Sequence, residues 1–439
     1  MNNFEVEIFS RRTIKPSSPT PHNLRSFKIS FLDQMSPVLY TPLILFYASK
    51  TGGRHPPPQV KESLSETLTK FYPLAGRIKD NFTIDCNDEG IPYVEAKVHL
   101  VMLEFLRDPP VESLGCFLPR ENGCPEPITE LPQVCVQVTR FDCGGMAIGV
   151  CFFHKIMDGA SIGTFLKTWA AAAGTGLRTD VGEICPDLTA ASSLFPAKDL
   201  LASYLSWIRN DPVNVVLRRF VFEASAVSDL RARAKSELVP NPSRVQAVSG
   251  FIWKHVGRAS DKATAGDEDA ASLFIHSVNI RPRGAAPLPW FSIGNLYQLA
   301  MARCDRPGEE NEAVLVSRLR EAISKVDDDH VDKLGREEEF MRIYQSMINK
   351  AAFKNTIKYW CTSWCKLGLN DIDFGWGTPV WIGVPWGTRT STHRNQITMI
   401  ENSCDGVEAW LVLSEEEMSV LEDDAEFLAF ASPNPTVRL

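Results

Sequence analysis

The chain has 439 residues and a mass of 49.0 kDa, enough for two or three domains and a large buried core. With 44% hydrophobic and 23% charged residues it has an ordinary globular composition, which excludes disorder along its whole length. Its 46 Lys and Arg against 54 Asp and Glu give a net charge of −8, a poor basis for general nucleic-acid binding, although a local basic patch could still hold one anion.

The N-terminal MNNFEVEIFSRRTIKPSSPTP lacks the apolar core of a signal peptide. Within it, FEVEIFS (4–10) alternates apolar and polar residues and predicts a half-buried strand. LYTPLILFYA (39–48) is interrupted by Pro42 and falls far short of the ~18–20 residues of a membrane span. In VKESLSETLTKFYPLAGRI, Leu64, Leu68 and Phe71 recur at helical spacing, and Pro73 stops the helix near Tyr72. FTIDCNDEGIPYVEAKVHL predicts a hairpin turning at Asn87–Gly90. QVCVQVTRFDCGGMAIGVCFFH predicts two strands around Asp142–Gly145, followed by the helix ASIGTFLKTWAAAAG, closed by Gly174.

Residues 174–198 are rich in Gly, Thr, Ser and Pro and read as a linker between two lobes. The expected division is 1–185, a crossover at 186–212, and 213–439, with a segment near 374–396 returning to the first lobe. RRFVFEA opens the second set of elements. The helix VQAVSGFIWKHVGRA presents Val245, Val248, Ile252 and Val256; SLFIHSVNIR, PVWIGVPW and GVEAWLVLS read as strands. Residues 262–272 and 306–312 read as exposed loops. The eleven cysteines are odd in number, scattered and without a C-x-x-C pair, which predicts free thiols in a reducing compartment and no zinc site. The C-terminal PTVRL is no peroxisomal or lipidation signal. The expectation is a cytosolic monomer that binds neither membrane nor nucleic acid.

Of eight histidines, only His154 has an aspartate four residues on, in His154-Lys-Ile-Met-Asp158-Gly159, where an apolar strand meets a helix. Reactive groups are commonly placed at such strand ends. A histidine near its ordinary pKa of ~6.5 can accept a hydroxyl proton and return it to a leaving group; the plainer reading is a strand-end hydrogen bond. Asp158 either orients the imidazole, as a triad acid does, or caps the helix and pairs with an arginine; spacing favours the structural role. No G-x-S-x-G elbow supports a serine hydrolase. Asp373-Phe-Gly-Trp-Gly377 combines two glycines suited to a tight turn with packing aromatics, a rigid loop that need not be catalytic. Ser243-Arg-Val-Gln246 has the form of a capping box, and a helix N-terminus beside an arginine suits an anion as well as it suits an ordinary cap.

H-x-x-x-D-G followed by D-F-G-W-G is the signature of the plant BAHD acyl-CoA-dependent acyltransferases, which the sequence resembles along nearly its whole length. Further points of resemblance are Ile29-Ser-Phe-Leu-Asp-Gln34, Tyr72-Pro-Leu-Ala-Gly-Arg77, Val278-Asn-Ile-Arg281, Gly294-Asn295 and Gly406-Val-Glu-Ala-Trp410. The resemblance is nearest to the alkaloid O-acetyltransferase branch, with fruit and flower alcohol acyltransferases also similar. It implies an α/β fold with mixed sheets, in two chloramphenicol-acetyltransferase-like lobes flanking a solvent channel. His154 would be the general base, Asp158 would pair with Arg281, and Asp373 would lie away from the reacting atoms. Ser243 and Arg244 would approach the phosphates of coenzyme A, Asn295 its pantetheine arm, and Trp364 the oxyanion. Condensation domains of peptide synthetases usually carry two adjacent histidines, whereas Phe153 precedes His154 here, favouring a free acyl-CoA. The implied reaction moves acetyl from acetyl-CoA to a hydroxyl of a small molecule, without metal or resident cofactor. Volatile-ester synthesis, N-acylation of an amine and non-catalytic ligand binding stand as alternatives.

Overall fold

The structure is a computed structural model describing residues 4–49, 59–120, 127–174, 184–199, 214–263, 271–351, 356–386 and 394–438. Long apolar runs make its central strands. The six-stranded sheet has the spatial order β1 (Val6–Ile14), β6 (Ile91–Val98), β7 (Val134–Phe141), β8 (Met146–Phe153), β3 (Tyr40–Tyr47) and β13 (Trp381–Gly383). Every residue of β3 and β8 is buried, as expected of strands covered on both faces. β13 comes from the C-terminal half yet pairs antiparallel with β3, Ile382 opposite Leu45.

The seven-stranded sheet runs β11 (Tyr297–Cys304), β10 (Ala271–Asn279), β12 (Thr356–Ser363), β14 (Gln396–Glu401), β15 (Val407–Ser414), β9 (Val215–Phe222) and β16 (Ser432–Pro433). Helix Arg244–Ala263 covers it with Val248, Ile252 and Val256 buried. Each large sheet has its own core cluster. The mixed sheets agree with the expected fold class.

The expected hairpin at 82–100 is not formed. β5 (Thr83–Asp85) belongs instead to a small sheet with β2 (Ser26–Lys28) and β4 (Arg77–Ile78), while β6 pairs with β1 and β7. Asp88 (φ 56°) and Gly90 (φ 85°) carry the chain from one sheet to the other. Asp88 accepts hydrogen bonds from Thr20 N and Oγ1, and Gly90 N donates to Ala75 O, so the segment is tied outward on both sides. β6 matches β1 from Ile91–Ile14 to Val98–Val6, a far longer ladder than three-residue β5 could offer.

Two expected loops are also narrower than the sequence suggested. Pro307 and Gly308 are buried in the 306–312 loop, and Ala271 and Ser272 already belong to β10. Residues 264–270 lie outside the described residues. In the expected crossover, a helical turn at Ala190–Leu194 and bridges Asp187–Ser292 and Ser30–Pro196 tie the chain down; residues 200–213 lie outside the described set. The described cysteines are free. Among the described residues no helix is long and apolar enough to cross a membrane.

Trp169, on helix Gly159–Ala173, is wholly buried. Its Nε1 donates to Val60 O at 3.1 Å and its ring meets Phe374 edge-on at 4.9 Å, joining two helices to the Asp373–Gly377 loop. Trp169→Ala should lower unfolding free energy by ~3–5 kcal/mol in urea denaturation, because a large cavity opens where three elements meet; a loss below about 1 kcal/mol would mean the core collapses around the gap.

Candidate active site

His154 follows β8 directly. Its N–H donates to Leu39 O at 2.9 Å, so the backbone is fixed against the neighbouring chain as the strand ends. The half-buried imidazole lines a cavity of ≈ 230 Å³ whose walls come from both halves of the sequence. One wall is a sheet face: Asn279 lies opposite Tyr297, Ser277 opposite Leu299, and Ile275 opposite Trp360. The other is the segment holding Leu32, Met35, Ser36, Pro37 and Leu39. Tyr297 approaches the imidazole edge-on, at 6.0 Å between ring centroids.

Asp158 is the N-cap of helix Gly159–Ala173, its Oδ1 accepting from Ser161 N at 2.8 Å. The same carboxylate accepts from both terminal nitrogens of Arg281, at 2.7 and 3.0 Å, and from Leu296 N at 3.0 Å. Arg281, 1% exposed, also donates to Ser292 O and Ser161 Oγ. Burial alone would raise the Asp158 pKa; Arg281 and Ser161 outweigh it and hold the carboxyl below its ordinary 3.8. Its hydrogen bonds thus go to arginine and backbone, the cap and ion pair of the structural reading. The backbone at Gly159 passes close to its neighbours: a Cβ there would stand 3.3 Å from Trp364 Nε1 and 3.1 Å from Leu367 Cδ1, so both side chains would have to shift.

Burial lowers the His154 pKa below its ordinary 6.5; its own backbone carbonyl, Asp158 and Asn295 pull upward without cancelling that effect. The ring is therefore neutral at pH 7 and able to accept a proton. Lys155 is buried, with Nζ donating to Gln34 O and Ser36 O, and burial pushes its pKa down to about 8.

The remaining expected site residues are spread. Trp364 and Asn295 line the cavity. The Asn295 amide is already engaged, donating to Asp33 Oδ1 and His154 O. Ser243 caps the helix reciprocally with Gln246, and Arg244 bonds Asp405 O and pairs with Glu401; neither lines the cavity. Asp373 is also off the cavity. Its Oδ1 accepts from Gly375 N and Gly377 N, whose φ values of 95° and 103° make a turn open to glycine. Sequence reasoning missed Asp33, Lys155 and Tyr297. For Asp33 a signal was present, the Ser30-x-x-Asp33 capping box, which the structure forms. Among the described residues no group of three or more His, Cys, Asp or Glu could hold a metal ion.

A cavity between a mixed sheet and the 32–39 segment, with a histidine at a strand end and an ion-paired aspartate four residues on, suits an acyltransferase of the H-x-x-x-D type. Residues 4–428 match the family model described as the Transferase family. The chain belongs to this family, the BAHD acyl-CoA-dependent acyltransferases, and is an O-acyltransferase. It is 39% identical to akuammiline synthase 2 of Alstonia scholaris, covering 99% of this chain and 98% of that one. It is 37% identical to a limonoid 21-O-acetyltransferase of Melia azedarach, covering 98% and 99%. The solved structure of vinorine synthase has a TM-score of 0.81 at 35% identity, covering 97% and 98%. F. graminearum TRI101, solved with coenzyme A and T-2 mycotoxin, shares the fold with a TM-score of 0.71 at 20% identity, covering 93% and 99%.

Asp158→Asn keeps shape but leaves Arg281 without its counter-charge in buried surroundings, and should cost ~3–5 kcal/mol of stability. Thermal and urea unfolding measure this directly. A variant as stable as the parent but inactive would instead assign Asp158 to orienting the imidazole. The depressed carboxyl contributes stability above pH 3.8 that is lost only as pH falls through its folded pKa, so neutral-pH comparisons see the full effect.

Proposed function

We propose that the enzyme transfers acetyl from acetyl-CoA to a hydroxyl of an alkaloid-like specialised metabolite, with His154 as general base. The observation that carries the catalytic part is the half-buried imidazole lining a cavity walled by both halves of the chain, while Asp158 is committed elsewhere. The acetyl donor is supported by the limonoid O-acetyltransferase relative and by the coenzyme A bound in TRI101. The alkaloid-like acceptor is supported by the likeness to akuammiline synthase 2 and vinorine synthase, and by the apolar and aromatic cavity lining, including Trp360, Trp364, Trp386 and Tyr344.

His154 Nε2 takes the hydroxyl proton as the oxygen attacks the thioester carbonyl. The oxyanion needs a donor close by, an effect typically worth ~3–4 kcal/mol; Trp364 Nε1, beside Gly159 at the cavity wall, is the candidate. As the tetrahedral species collapses, the imidazolium returns the proton to the departing thiolate, so no acyl-enzyme forms. Ser243 and Arg244 are the candidates for the phosphates, with Arg244 exchanging Glu401 for the ligand. The same reading takes 1–185 and 213–439 as two lobes joined by 186–212.

His154→Ala should lower turnover by ~10²–10⁴-fold with the fold retained. In the parent, kcat/KM should fall as pH drops through the His154 pKa below 6.5, because the imidazolium cannot accept a proton, and stay level just above it. Incubation with acetyl-CoA and a panel of alkaloid, simple alcohol and amine acceptors, followed by free-thiol release and mass spectrometry, tests the whole reading. Transfer to amines alone, or no transfer at all, would overturn it.

A further inference from the structure

Asp158 holds Arg281, so the groups left to set the orientation and tautomer of the imidazole are its own backbone carbonyl and Asn295. His154 Nδ1 is buried without a hydrogen-bond partner, and so is Asn295 Oδ1. The two residues are already joined, Asn295 Nδ2 donating to His154 O at 2.8 Å. The same Nδ2 donates to Asp33 Oδ1 at 2.9 Å, as does Asn295 N at 2.8 Å. Both partners of Nδ2 are pure acceptors, which fixes which end of the amide is nitrogen and leaves Oδ1 as the free acceptor. Asp33 is 2% exposed and is itself held by Ser30 N and Oγ. A ring nitrogen and an amide oxygen, both buried and unpaired on linked residues, each cost free energy until they find a partner.

We propose that Asn295, anchored by Asp33, is the positioning residue of His154: its amide oxygen receives the Nδ1–H, which keeps Nε2 as the bare lone pair for the acceptor hydroxyl. The hydrogen bond made by one ring nitrogen decides which nitrogen carries the proton. An amide suits this place better than a carboxylate, because it fixes the tautomer without adding charge that would favour the imidazolium. The other ionisable groups around the ring are Asp158 with its Arg281, Lys155, Asp33 and the Tyr297 hydroxyl. This inference rests on the general-base reading of His154.

The test measures kcat, KM for acetyl-CoA and the acid limb of kcat/KM, using the panel alcohol with the fastest thiol release. Asn295→Ala should lower kcat by about 10–100-fold, the usual effect of removing a partner that orients a functional histidine. KM for acetyl-CoA should stay within about twofold, since ground-state binding is untouched. Asn295→Asp, of the same shape, should move the acid limb upward by about one pH unit, because a carboxylate at Nδ1 favours the imidazolium; it carries the test if the alanine variant fails to fold. Asp33→Asn should lower kcat in the same direction. A folded Asn295→Ala with parental kcat, a raised KM with kcat unchanged, or an unmoved acid limb in Asn295→Asp would each overturn the proposal. His154→Ala in the same assay separates the two claims: near-parental turnover there removes the general base itself, whereas a dead His154→Ala beside a fully active Asn295→Ala removes only the positioning role.

Discussion

The site depends on one buried ion pair. Asp158 caps the helix that follows His154, and Arg281 lies 123 positions further along the chain. Together they bind the end of β8 to the loop that leads into β11, through Ser292 O, Gly294 O and Leu296 N. A buried pair is seldom a large net gain in stability, but losing one member leaves an uncompensated charge. Its value is geometric: two halves of the sequence must meet in one register before the cavity exists.

Around that pair the cavity is a consequence of strand alternation. Residues 275, 277 and 279 of β10 point to one face, with their neighbours on β11 and β12, so a one-residue slip would turn the whole wall over. The opposite wall is less regular. The turn Phe31–Gln34, capped by Ser30, serves several purposes at once: Asp33 holds Asn295, Gln34 O receives Lys155 Nζ, and Leu32 and Met35 face the cavity. One short segment thus lines the cavity and holds both Asn295 and Lys155.

Much of this was legible in the sequence. The apolar runs of β8 and β15 announced strands, and Asp142–Gly145 announced the turn between β7 and β8. The histidine could be singled out by spacing and by its place between strand and helix. The fold of 82–100 was not legible, because two strand-like runs around a turn-forming tetrapeptide look alike whether they pair with each other or with distant partners; here the long ladder with β1 decides. Tyr297 was missed for a related reason, and the capping box that marked Asp33 gave no hint of its hold on Asn295. Those contacts join residues more than a hundred positions apart, which no local pattern records. Asn295 could be noticed beside Gly294, but its grip on the His154 carbonyl becomes visible only in three dimensions.

The three residues of β13 have a consequence beyond the site. Trp381–Gly383 leave the C-terminal half to cover β3, and the Trp381 ring stacks on Phe46 at 5.2 Å. A polypeptide ending before this segment, whether from proteolysis or from an early stop during synthesis, would leave the apolar stretch Ile44–Phe46 of β3 with an open edge. Such edges recruit other chains, so incomplete products of this gene are inclined to aggregate rather than persist as a half-enzyme. The N-terminal half must therefore wait for nearly the entire chain before its sheet can close.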